Sequence, residues 1–190
     1  MRYNARFLDK SKDDWNHDHS VLKINVNPHL LCSDQRTAVL IYEHDTPILL
    51  LNICVEVSNE GYALDSCFNG FLSNNHYIAI ILGQYVHLVD ILSKQVKSLY
   101  LADFVGHIYA VPNCIDNKLS DNFIITTYRY VFLINITKGI VWKSNMCGID
   151  GVIITNIHEG VIYGKGEWAP PSEWVDFRLS LNNGATIKIS

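Results

Sequence analysis

A hairpin that recurs at a fixed interval constrains this chain more than any other feature. Tyr130–Ser144 reads as a strand, a turn at Thr137-Lys138-Gly139 and a second strand. At an offset of 45 residues upstream, Tyr85-Val86-His87-Leu88-Val89-Asp90-Ile91 lies over Tyr130-Val131-Phe132-Leu133-Ile134-Asn135-Ile136 without a gap. At the same offset downstream, Phe177-Arg178-Leu179-Ser180-Leu181-Asn182-Asn183-Gly184 lies over Phe132 to Gly139. The Thr37–Val57 hairpin is a fainter fourth copy. A period near 45 residues with several short strands per unit is the mark of propeller blades. One such sheet has two apolar faces and cannot bury both alone, so it must stack on neighbours. A chain of 190 residues holds only about four such units. The expectation is therefore all-β: a propeller-like repeat of antiparallel sheets, incomplete or distorted, with a sandwich of such sheets as the alternative.

The rest of the chain supports one domain over residues 1–190, with 1–20 as a polar N-terminal arm. Beyond Ser20 the pattern is period two or wholly apolar, and helical periodicity is scarce. Strands are predicted over Val21–Val26, Thr37–Tyr42, Ile48–Val57, Tyr62–Leu72, Tyr77–Leu82, Tyr85–Leu92, Val96–Leu101, Phe123–Thr127, Tyr130–Ile136, Ile140–Lys143, Val152–Ile157 and Val161–Gly164. Asn69-Gly70 is a candidate tight turn inside the fourth of these. Hydrophobic residues make up 48% of the chain and charged residues 18%, a balance that folds. No leader is expected, because Arg2, Arg6, Asp9 and Lys10 interrupt the first apolar residues. No apolar run approaches the roughly 20 residues that span a bilayer. Cys32, Cys54, Cys67, Cys114 and Cys147 are odd in number and widely spaced. They read as buried thiols in a reducing cytoplasm, not as a zinc site or a disulfide framework.

Charge is unevenly placed. Residues 21–70 carry Lys23 and Arg36 against Asp34, Glu43, Asp45, Glu56, Glu60 and Asp65, which accounts for the whole net charge of −4. Phosphate binding needs a basic patch, so a nucleic-acid partner is not expected. A basic protein partner suits these carboxylates; an ordinary solvated acidic surface is the plainer reading of the same residues. The second candidate region is the loop Gly166-Glu167-Trp168-Ala169-Pro170-Pro171-Ser172-Glu173-Trp174. Rigid aromatics beside carboxylates suit an interface hot spot. Alternatively, Trp168 and Trp174 close the core between sheets and the prolines steer the chain. Tyr128-Arg129 and Phe104 are weaker candidates of the same kind. The candidate binding residues are thus Glu43, Asp45, Glu56, Glu60, Asp65, Trp168, Glu173 and Trp174.

Catalytic patterns are scarce. There is no glycine-rich phosphate loop and no nucleophile elbow. His17-Asp18-His19 has the look of a metal cluster but lacks further ligands nearby, and it reads as part of the solvated arm. His87 sits inside an apolar strand. His107 can meet Asp103 or another carboxylate after folding, but no nucleophile is singled out to complete a triad. No enzyme activity, cofactor or metal is expected.

Toward the C-terminus a set of motifs stands out: Gly139-Ile140-Val141-Trp142-Lys143, Ile149-Asp150-Gly151-Val152, Gly164-Lys165-Gly166-Glu167-Trp168, Pro170-Pro171 and Trp174 through Leu179, with Tyr100–Tyr109 more faintly. In these the chain resembles a group of small bacterial cytoplasmic proteins, some of which belong to toxin–immunity loci. The resemblance implies an immunity protein of the contact-dependent growth inhibition type. Such a protein is cytoplasmic and binds a cognate toxin domain, often a nuclease, as a monomer in a 1:1 complex, away from membrane and nucleic acid. No binding residue carries over from it. The other reading open at this point is a scaffold or sensor that takes peptides or small ligands through its loops.

Overall fold

In a computed structural model, the described residues are 2–8, 21–28, 36–58, 60, 62, 64, 68–111 and 121–188. They form fifteen strands in four sheets, without a helix. The first sheet holds β1 (Tyr3–Phe7), β2 (Leu22–Val26), β3 (Arg36–Glu43) and β4 (Thr46–Cys54), in the order β1-β3-β4-β2. The second is a meander of β5 (Gly70–Ser73), β6 (Tyr77–Leu82), β7 (Tyr85–Asp90) and β8 (Val96–Tyr100). The third repeats that meander with β9 (Val105–Ala110), β10 (Asn122–Thr127), β11 (Val131–Asn135) and β12 (Gly139–Lys143). The fourth has three strands, β13 (Gly151–His158), β14 (Val161–Ala169) and β15 (Glu173–Ser180). All pairs are antiparallel except β2 with β4.

The sheets stack face to face in chain order, as propeller blades do. Val39, Ile41, Leu49, Leu51 and Ile53 of the first sheet pack on Ile78, Ile80, Leu82 and Val89 of the second. The other face of the second sheet, with Ala79, Ile81, Val86 and Leu88, packs on Phe123, Ile125, Phe132 and Ile134 of the third. The third turns Ile124, Val131 and Leu133 to Val152, Ile162 and Leu179 of the fourth. This is why the central strands are apolar without alternation: each middle sheet is buried on both faces. Each such side chain contributes roughly 1.5–3 kcal/mol when it leaves water. The first strands of successive sheets come together, β1 with β5, β5 with β9 and β9 with β13. The stack therefore has an inner edge, but it does not close into a barrel.

The 45-residue offset is a structural repeat. β7, β11 and β15 are each the third strand of their sheet. The turns that follow share one left-handed position, at Lys94 (φ 59°), Gly139 (φ 91°) and Gly184 (φ 70°). The backbone N–H of Asp90 donates to the carbonyl of Gln95 at 2.9 Å, and Ser180 donates to Ala185 in the same way at 2.8 Å. Asp90 Oδ1 accepts the N–H groups of Leu92 and Ser93, as Asn135 Oδ1 accepts those of Thr137 and Lys138. Neighbouring blades also touch alike. Lys97 of β8 lies over Gly139, and Trp142 of β12 lies over Gly184 with its Nε1 donating to the Leu181 carbonyl at 3.0 Å.

Several expectations are corrected. The polar arm is not polar throughout: Tyr3–Phe7 is a strand, because Tyr3 and Ala5 alternate inward against Asn4 and Arg6. Residues 9–20, including His17 and His19, lie outside the described residues. Gly70 does not turn the chain but opens β5, and β9 is a strand that no prediction covered. The loop expected at Gly166–Trp174 is a hairpin: β14 and β15 run to within three residues of each other across a cis Pro170–Pro171 bond. Cys54 is disulfide-bonded, against the expectation of thiols throughout. Cys147 is a buried free thiol.

Candidate protein-binding surface

The acidic candidates do not gather. Asp45 is exposed in the two-residue turn between β3 and β4. Glu43, just before it, is engaged by Arg2 at 2.7 Å. Glu56 and Glu60 lie beyond the far end of β4, whose nine residues span about 30 Å. Glu56 turns toward the second sheet. It lines a small cavity with Tyr85 and His87, and after burial its charge is the next cause holding the Tyr85 phenol above its ordinary value. Glu60 is exposed, with its N–H on Ser58 Oγ at 3.3 Å. Asp65 lies outside the described residues. One strand length of separation rules out a single acidic face made of Glu43, Asp45, Glu56 and Glu60.

The aromatic candidates do gather, at the opposite end of the stack. Glu167 of β14 pairs with Trp174 of β15, and Ala169 pairs with Glu173, leaving Trp168 in the bulge between the two pairs. Trp168 is 39% exposed and Trp174 40%, so neither closes the core. The Trp174 ring lies over Gly151, where an added Cβ would stand 3.1 Å from Cη2. Ile149 donates its N–H to the Glu167 carbonyl at 2.8 Å, which draws the Met146–Asp150 loop alongside β14. Met146, Ile149 and Val175 are also exposed. Beside Trp174, on its face of the sheet, stand Glu167, Asp176 and Lys165, which pairs with Asp176 at 3.6 Å; Glu173 and Val175 lie on the opposite face of β15. On the same outer face the Arg178 guanidinium lies 5.4 Å from the centre of the Tyr163 ring. Tryptophan, tyrosine and arginine are the residues that most often dominate interfaces. Ile149, Tyr163 and Arg178 were not among the sequence candidates. Only the alternation of β14 and β15, once known, puts the last two on the same face as Trp174.

The glycines of this region explain why its motifs are so regular. A Cβ on Gly166 would overlap the Cys147 carbonyl, and one on Gly164 would overlap the Phe177 ring. Gly164-x-Gly166-x-Trp168 is thus a packing motif that lets a loop and a ring press on β14.

His87 and His107 each pack within their own part of the stack. Asp103 does not meet His107; it accepts from the Arg129 N–H at 3.1 Å and from the Arg129 guanidinium at 3.1 and 3.3 Å. His107 instead sits between Phe68, at 4.9 Å, and Tyr109, at 6.1 Å, and burial lowers its pKa. His87 is buried, with Nδ1 at 2.9 Å from Ser98 Oγ. Phe104 packs on Tyr128 at 6.0 Å. A second concavity of about 390 Å³ opens between the inner strands β9 and β13, lined by Ile108, Tyr109, Ile154, Asn156 and Ile157. Among the described residues no helix is long and apolar enough to cross a membrane.

No family model matches the sequence, and no curated protein matches it.

Proposed function

We propose that this chain is a binding protein that grips a basic protein domain with the β14–β15 end of its stack. The observation that carries the reading is the pair of half-exposed tryptophans on the β14–β15 hairpin, Trp168 and Trp174, with a rim that holds more carboxylates (Asp150, Glu167, Glu173, Asp176) than cations (Lys165, Arg178). Half-exposed tryptophans on a paired hairpin are held rigid, so little entropy is lost when a partner covers them. The rim adds attraction to a basic surface and speeds encounter. Among binding proteins, the resemblance noted in the sequence supports an immunity protein that neutralises a cognate toxin domain in a 1:1 complex. A nuclease toxin, which needs basic groups to hold its substrate, fits the rim. Capture of the partner by the tagged protein tests this. Binding should weaken as salt rises and should fall at least tenfold on Trp174→Ala. A partner held equally well by Trp168→Ala and Trp174→Ala protein would overturn it.

The immunity reading puts the protein in the cytoplasm. The Cys54 disulfide weighs against that, because thiol-reducing systems keep such bonds rare there. Alkylation in intact cells decides the compartment: a Cys54 that resists alkylation until reduced moves the partner search to an oxidising one.

The β9–β13 groove favours a second reading, a small ligand held on the inner edge. Its volume and largely apolar lining suit one. A fluorescent apolar probe displaced by Asn156→Trp would support it, and no displacement would remove it.

A further inference from the structure

We propose that Asp103 and Arg129 set the position of the binding surface, by holding the Met146–Asp150 loop against the β14–β15 hairpin. This rests on the surface proposed above and adds the residues that fix its shape. Both act through the loop, as positioning residues. The connections into the third and fourth sheets each dock on the turn between the middle strands of the sheet just completed. Leu101 donates its N–H to the Gln84 carbonyl at 3.0 Å and Val105 donates to Gly83 at 2.9 Å; Cys147 donates to the Arg129 carbonyl at 2.8 Å. The Tyr128-Arg129 turn is also tied backwards, to the connection before it. Tyr128 donates to the Phe104 carbonyl at 3.0 Å, and the Arg129 N–H donates to Asp103 Oδ2 at 3.1 Å. The turn is thus clamped between two connections.

The clamp is built on a buried charge. The Asp103 side chain is 6% exposed and that of Arg129 42%. A buried carboxylate needs both a counter-charge and hydrogen bonds. Asp103 has both in one residue, from the Arg129 N–H and from its guanidinium at 3.1 and 3.3 Å. These bonds fix the side chain and the main chain of Arg129 together. From its carbonyl the line continues through the loop. The Cys147 carbonyl presses on Gly166, where no Cβ could stand. A Cβ on Gly148 would stand 2.6 Å from the Gly151 carbonyl oxygen and 3.1 Å from the Glu167 nitrogen. Ile149 then donates to the Glu167 carbonyl at 2.8 Å, one residue before Trp168.

The glycines admit the loop but do not hold it. Its middle is held by the Cys147 and Ile149 hydrogen bonds, one on each side. The first is as firm as the turn that accepts it, and Asp103 keeps that turn in place. Met146 and Ile149 are exposed on the loop. A loop already fixed lets them meet a partner without being ordered on contact, which favours affinity. The plainer role for the Asp103–Arg129 pair is to stabilise the whole fold. The two roles differ in where the protein loosens when the pair is lost: at the loop alone, or everywhere.

Hydrogen exchange in the full chain, with no partner present, tests this. Asp103→Ala should speed exchange at the Cys147 and Ile149 amides at least about tenfold, while Ile124, buried in the middle of the third sheet, keeps its rate. Asp103→Asn, whose side-chain oxygen still accepts from the Arg129 N–H, should speed them less than about threefold. In protein carrying 5-fluorotryptophan, Asp103→Ala should move the Trp168 fluorine resonance and leave that of Trp142, each assigned through its Trp→Phe variant. Loop amides that keep their rate, or an Ile124 amide that speeds up with them, overturn the proposal. Should Asp103→Ala fail to fold, Arg129→Ala, which removes two of the three bonds to the carboxylate, is read by the same criteria. Capture of the partner separates this role from the surface itself. If Trp168→Ala weakens capture while Asp103→Ala does not, the surface stands and the positioning role falls. If neither changes capture, both fall.

Discussion

The two end sheets of the stack make a useful contrast. The first sheet carries the acidic residues that dominate the charge of the chain, yet distributes them over both ends of β4 and ties Glu43 to Arg2. The fourth sheet instead places Glu167, Glu173 and Asp176 on one hairpin with its two tryptophans. The difference teaches that charge in sequence is not charge on a surface. A strand of nine residues carries its two ends beyond the reach of one partner side chain, whereas a hairpin returns residues several positions apart, such as Glu167 and Trp174, to the same place.

The contrast can be tested, beginning with what both ends share. Phe123→Ala opens the core between the second and third sheets, and a loss of about 3–5 kcal/mol is expected in denaturant unfolding. Both ends should melt together; if the fourth sheet kept its hydrogen-exchange protection, it would be an independent unit. Gly166→Ala drives a methyl group into the Cys147 carbonyl. About 3 kcal/mol should be lost, and partner binding should fall with it because the Met146–Asp150 loop is displaced. Trp174→Ala should separate binding from folding. We expect at least a tenfold loss of affinity, about 1.4 kcal/mol, with stability changed by less than about 1 kcal/mol. Glu43→Gln combined with Asp45→Asn, at the other end, should change affinity less than threefold. A larger loss there would return the binding site to the first sheet.

A finer contrast lies inside the repeat. Asp90 and Asn135 hold equivalent turns, but only Asp90 titrates. Backbone hydrogen bonds from Ser93 and Leu92 hold its carboxyl below the ordinary range. Its contribution is therefore present above the ordinary carboxylate pKa and is lost as pH falls through the lowered value. Asp90→Asn should keep the turn, as Asn135 does, and flatten the stability curve below about pH 4. An unchanged acid limb would mean that the carboxylate adds nothing beyond its geometry.

Much of the fold was legible before any coordinates. The 45-residue offset identified the third strand of three successive sheets. The apolar runs at Tyr77–Leu82 and Phe123–Thr127 marked strands buried on both faces, because a blade between two blades has no solvent side. β9 was missed because Val105-Gly106-His107-Ile108-Tyr109 mixes polar and apolar residues. As an innermost strand it is packed only in part on either face, so it shows neither alternation nor an apolar run. Gly166–Trp174 was read as a loop because glycine and proline usually break strands. The glycines are there to admit the Cys147 carbonyl and the Phe177 ring, contacts between segments that no local pattern records. For the binding surface, the hairpin residues Trp168, Glu173 and Trp174 were named from sequence because they are neighbours along the chain. Tyr163, Arg178 and Ile149 were not, since only strand register and the docked loop bring them there.

The sequence by itself determined the repeating sheet unit, its period and the need to stack, because these follow from local alternation and from the need to bury two apolar faces. The tertiary structure alone decided which charges share a surface. Strand register acts at that level: one pairing puts Glu167 beside Trp174 and Lys165 beside Asp176.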